Sequence, residues 1–102
     1  MQKDKNITEV IFRRFKEGDV IALFPYEIES LDGQVNSYQR IGQHSGASLE
    51  IIQETKPATI DEPDIKSLYD ELTSIGYNLK IVKRVNYNHY QDRLDRIRFK
   101  FA

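Results

Sequence analysis

The sequence predicts an α+β domain: an antiparallel sheet of about five to six strands with one main helix, near residues 61–76, packed on it. Two observations carry this expectation. Residues 7–55 read as a series of short apolar or alternating runs broken by turn signals, and only one later stretch holds apolar residues at sustained helical spacing. Strands in a run followed by a helix suit a sheet with the helix across one face. A small SH3-like barrel is the alternative. With 102 residues the chain suits one domain, residues 1–102.

The elements follow in order. "ITEVIFRRF" (7–15) is rich in β-branched and aromatic residues, yet Ile7, Val10, Ile11 and Phe15 also share a helical face, so strand and helix both stay open. "KEGD" (16–19) is a turn. "VIALF" (20–24) is a continuous apolar run, as in a strand buried on both faces, and Pro25 ends its ladder by removing a donor. Asp32-Gly33 marks a hairpin. "VNSYQRI" (35–41) alternates like a strand, and "SLEIIQET" (48–55) reads as another.

Ile65, Leu68, Tyr69, Leu72 and Ile75 form the stripe of the main helix. Asp61 or Thr59 serves as its cap, Pro63 fits its first turn and Gly76 ends it. "LKIVKRV" (79–85) is a strand. Residues 86–95 are a loop, or a short helix with an Asp92–Arg96 pair. The closing "RIRFKFA" alternates, which predicts a strand with Ile97, Phe99 and Phe101 inward and Arg96, Arg98 and Lys100 outward.

Composition narrows the function classes. Six tyrosines and five phenylalanines each remove a large apolar area from water and help the chain build a single core, and 30% of the residues are charged. Net charge is −1, but residues 44–79 hold seven acids against two bases, and residues 80–100 hold seven bases against two acids. There is no cysteine, which excludes disulfides, thiolate zinc sites and a thiol nucleophile. No apolar stretch approaches a bilayer span and no signal-peptide core opens the chain, so a cytoplasmic protein without a membrane partner is expected. Glycine-rich phosphate-binding patterns are absent, and no cofactor is expected.

The stretch "YQRIGQHSGAS" (38–48) is the most site-like. Tyr38, Arg40, Gln43, His44 and Ser45 are its candidate ligand-binding residues. As a catalytic unit it would use His44 as base and Ser45 or Ser48 as nucleophile. No nucleophile-elbow pattern surrounds those serines, and sequence neighbours rarely meet dyad geometry, so a polar strand connection shaped by Gly42 and Gly46 is the better reading. His44 and His89 lack metal-ligand spacing, and no metal is expected. Glu27 and Glu29 share one face of an extended segment, as a solvated strand edge would.

The C-terminal segment "KIVKRVNYNHYQDRLDRIRFKF" mixes bases with aromatics. Lys83, Arg84, Arg96, Arg98 and Lys100 are the candidate phosphate contacts, with Tyr87, His89 and Tyr90 available for stacking. Basic residues on an edge strand also discourage sheet-to-sheet aggregation, which is the structural alternative.

Four stretches, "GDVIALFPYE", "SYQRIGQHSGAS", "KPAT" and "LTSIGYNLKIVKR", resemble an uncharacterised family of small proteins from gut-type bacterial genomes, associated with mobile or phage-derived elements. The resemblance spans roughly residues 18–84. It implies a bacterial cytoplasmic accessory factor and carries no activity and no functional residue. The leading expectation is a small non-enzymatic binding domain that contacts a partner protein or nucleic acid. A small enzyme built on the His44 loop and a homodimerising module that pairs an exposed strand with its copy are the alternatives.

Overall fold

The computed structural model describes residues 7–39 and 43–101, excluding the side chains of Gln43 and Phe101. Its elements are β1 (Ile7–Arg14), β2 (Val20–Ile28), β3 (Val35–Gln39), β4 (Gln43–Ala47), α1 (Ile51–Glu54), β5 (Lys56–Pro57), α2 (Pro63–Ser74), β6 (Asn78–Ile81) and α3 (Tyr87–Phe101). The fold is α+β, with an open six-stranded sheet and not the closed SH3-like barrel. Strands β4, β3, β2 and β1 form an antiparallel meander. The far edge of β1 is shared: β5 pairs antiparallel with Arg13–Arg14, and β6 pairs parallel with Ile7–Val10.

Segment 7–14 is a strand because both of its faces are covered. Val10 and Phe12 enter the cluster under α2, with Val20, Ala22, Phe24, Tyr38, Ile65, Leu68 and Leu72. Ile11 turns the other way, joining Ile21, Leu23 and Ala47, with Ile51, Ile52, Val82 and Val85 packed against them. The contiguous apolar run in β1 is therefore the mark of a central strand rather than a helical face. β2 continues past Pro25 to Ile28, but its register with β3 shifts between Phe24 and Ile28.

The helix expected near residues 61–76 forms close to that place as α2, but the main helix on the sheet is the longer α3. Pro63 occupies the first turn of α2, and Gly76 follows it at φ 116°. Neither Asp61 nor Thr59 caps it. The N-cap is Glu62, whose carboxylate folds back to accept the Thr59 backbone N–H at 2.9 Å.

Three expectations are corrected. "SLEIIQET" is not a strand: Ser48 Oγ accepts the Glu50 N–H at 3.1 Å and starts a turn into the short helix α1, which sets Ile51 and Ile52 against the sheet. Residues 82–85 leave the sheet after Ile81. "RIRFKF" is not a strand but the second half of the 15-residue helix α3, continuous with the segment before it. Its first turn is capped by Asn86 Oδ1, which accepts the His89 N–H at 3.1 Å. Leu94 is the buried member of its stripe, with Tyr90 and Ile97 half-buried beside it. Phe99, expected in the core, is 85% exposed. The Asp92–Arg96 pair forms at 3.1 Å.

Candidate functional site

The site-like stretch 38–48 resolves into strand pairing. Arg40, Ile41 and Gly42 lie outside the described residues, as does the side chain of Gln43. Tyr38 and His44 sit opposite each other in the β3–β4 register, on the face that carries α2. Tyr38 is buried and its hydroxyl donates to the Glu71 carboxylate of α2. His44 is exposed and stands edge-on to the Tyr38 ring, with centroids 4.7 Å apart. Its Nδ1 lies 3.2 Å from Asn36 Oδ1, while Asn36 Nδ2 donates to Glu27 Oε1 at 3.1 Å. Asn36 presents its oxygen to this ring nitrogen, so His44 Nδ1 is placed to donate to it. Tyr77 stacks on Phe24 at 5.1 Å beside this group. Burial, with the Glu27 charge added, raises the Tyr77 hydroxyl above its usual range, against an opposing hydrogen bond with Asn36.

Ser45 cannot join His44. Successive strand residues point to opposite faces, so Ser45 faces Ser37 beneath the sheet, with their hydroxyls 3.4 Å apart. Gly46 is an ordinary strand residue rather than a positive-φ turn; a Cβ there would come within 2.8 Å of Gln34 Oε1. The stretch is the outer strand of a sheet. It carries no base–nucleophile pair among the described residues.

The basic C-terminal residues are separated. Arg96 and Lys100, four apart on α3, share one helical flank, and Arg98 lies on another, where its Nε donates to Leu31 O at 2.8 Å. His89 packs edge-on against Tyr26 at 4.4 Å, and Arg93 Nε donates to Tyr26 O at 2.7 Å. Tyr90 donates to Gly33 O at 2.5 Å, and burial raises its hydroxyl above the usual range. These side chains fasten α3 to β2 and to the 29–34 hairpin.

Lys83 and Arg84 belong to a different place, a large concavity beside β1. β5 and β6 approach β1 from opposite ends and then peel away. The Val82 N–H donates to Val10 O at 2.9 Å, and the Ala58 N–H to Phe12 O at 3.2 Å. Between the diverging segments lies a groove of about 800 Å³. Ile11, Ile52, Ile60, Ile81, Val82 and Val85 give it an aliphatic lining, to which Tyr87 adds an aromatic ring. Its charged lining residues are all cations: Arg13, Lys83 and Arg84.

The three cations differ in kind. Arg13 is 8% exposed, and burial lowers its pKa from the usual arginine range without discharging it. Its Nε donates to Thr55 Oγ1 at 2.9 Å, and its Nη2 donates to Ile52 O at 2.8 Å and to Thr55 O at 2.6 Å. Nη1 is left without a protein partner among the described residues. Lys83 and Arg84 are exposed, and no ion pair or hydrogen bond of theirs exists among the described residues.

Lys83 and Arg84 were among the sequence candidates; Arg13 and the aliphatic lining were not. The lining comes from three stretches distant in sequence, residues 11–13, 52–60 and 81–87, which the sheet brings together around the divergence of β5 and β6. No described group of three or more acidic or histidine side chains is placed to hold a metal, and no described helix is long and apolar enough to cross a membrane.

No protein-family model, curated protein or solved structure matches the chain.

Proposed function

We propose that this protein is a small non-enzymatic binding domain, and that its working surface is the groove between β5 and β6. The observation that carries the reading is the groove itself. Its volume of about 800 Å³ falls in the range of sites that enclose small ligands or anchoring side chains, and its lining is mostly aliphatic. Exposed apolar surface that the fold leaves uncovered is a common mark of a binding site; here Ile81 is 42% and Tyr87 57% exposed. Such a domain also suits the accessory role that the sequence resemblance implies.

Binding is favoured over catalysis because the groove supplies apolar area and cations without a paired base and nucleophile, and because His44 and Ser45 face apart. A neutral fluorescent apolar probe, N-phenyl-1-naphthylamine, tests the reading. Its emission should rise on mixing with the protein, and Ile81→Asp should abolish the rise while the circular dichroism spectrum is kept. A probe that gains no emission, or gains it equally with Ile81→Asp, rejects the groove as the binding surface.

A further inference from the structure

We infer that the ligand of the groove is a small amphipathic carboxylate, an alkyl chain lying on the aliphatic lining with its carboxylate against Lys83, Arg84 and Arg13. The inference rests on the reading of the groove as the binding surface and adds the chemistry of its occupant.

Three features select that chemistry. The first is charge. The groove holds three cations and no acidic side chain among its described lining residues, and two of the cations are without a protein partner. A cationic ligand would meet only repulsion, and a neutral one would leave the charges unanswered. A carboxylate is an anion that an arginine with a free fork, as at exposed Arg84, holds at two points, and the Arg13 guanidinium, oriented by its bonds to Thr55 and Ile52, keeps Nη1 for one further hydrogen bond.

The second feature is the lining. Six of its side chains are isoleucine or valine, which offer an alkyl chain continuous contact and no specific polar partner.

The third feature argues against an extended peptide. Peptides that add to a sheet edge bind through main-chain hydrogen bonds. Here the β1 carbonyls of Val10 and Phe12 that face the groove edge already accept N–H groups from Val82 and Ala58. A peptide backbone would find those acceptors spent, whereas an alkyl chain needs none.

Displacement of N-phenyl-1-naphthylamine by decanoate, decanol and decyltrimethylammonium, each below its micelle concentration, tests the assignment. Decanoate should displace the probe about tenfold more tightly than decanol, as expected for hydrogen bonds to charged groups. Decyltrimethylammonium should be the weakest of the three. Across octanoate, nonanoate and decanoate, affinity should rise about fourfold per CH₂. The Lys83→Ala/Arg84→Ala variant, altered only at exposed positions, should remove most of the decanoate preference, leaving the share held by Arg13, and leave decanol unchanged.

Equal displacement by decanoate and decanol, or a carboxylate preference that the double variant leaves undiminished, overturns the assignment while the groove stands as an apolar site. Displacement by an acidic, leucine-rich peptide but not by decanoate also overturns it, in favour of a partner protein. Failure of the probe itself to bind removes the groove reading and the inference with it.

Discussion

Arg13 holds Thr55 at two points: its Nε donates to the threonine hydroxyl at 2.9 Å and its Nη2 to the threonine carbonyl at 2.6 Å. The residues are 42 positions apart, and their link ties the C-terminal end of β1 to the end of α1. The threonine hydroxyl in turn donates to Ile51 O at 2.8 Å. This clasp fixes α1, and with it Ile52, at the groove floor.

Thr55→Val keeps the side-chain shape and removes the hydroxyl. It should cost about 1 to 3 kcal/mol, because a part-buried donor on Arg13 and the Ile51 carbonyl lose their partner. Chemical denaturation measures the loss. The same variant should weaken the neutral probe, since Ile52 is held by the clasp.

Buried and exposed members of the apolar pattern should respond very unequally to truncation. Leu68 is 1% exposed between α2 and the sheet, so Leu68→Ala should cost about 2 to 5 kcal/mol through lost burial and a cavity. Phe99→Ala should change stability by less than about 0.5 kcal/mol, since that ring stands in solvent. Thermal melts of the two variants separate the helical α3 from a strand that buries Phe99.

Gly33 and Tyr90 form the contact between the hairpin and α3. Gly33 has φ 95°, and a Cβ there would collide with the Tyr90 hydroxyl. Gly33→Ala should therefore cost more than about 1 kcal/mol, beyond the penalty of left-handed backbone alone. Tyr90→Phe leaves the Gly33 carbonyl without its donor and should cost about 1 kcal/mol. Amide exchange of α3 should quicken in both variants.

Acid should loosen the start of α2. Arg14 bonds Asp64 at 2.9 and 2.7 Å and Glu62 at 3.2 and 2.6 Å. Hydrogen bonds from Arg14 hold both carboxyls below their ordinary values of 3.8 and 4.5. The unfolded chain then takes up more protons than the folded one as pH falls, so stability from this cluster is full above those ordinary values and is lost through the lowered folded ones. The side chains are about a third exposed, so solvent screening keeps the effect small. Urea midpoints measured between pH 6 and pH 3 should fall less steeply for Asp64→Asn than for the parent chain.

Much of this architecture is legible in local sequence. The strand at 20–24, the turn at Asp32-Gly33 and the helix with Pro63 inside and Gly76 behind it follow from turn chemistry and apolar spacing. The errors share a cause. Ile51-Ile52 and "RIRFKF" are short windows whose β-branched or alternating residues imitate strands, and tertiary contacts decide them: the floor position under Ile11 for one, the 90–94–97 stripe for the other. The groove was legible only as two bases, Lys83 and Arg84. The parallel pairing of β6 with β1 and the buried Arg13–Thr55 clasp depend on long-range register, which no local pattern carries.

Methyl spectra of the isoleucine- and valine-labelled protein, titrated with the neutral apolar probe, locate the bound ligand. The binding groove requires shifts at Ile11, Ile52, Ile60, Ile81, Val82 and Val85, with Val20 and Ile65 on the α2 side unmoved. Shifts centred on Val20 and Ile65, or none anywhere, would contradict it.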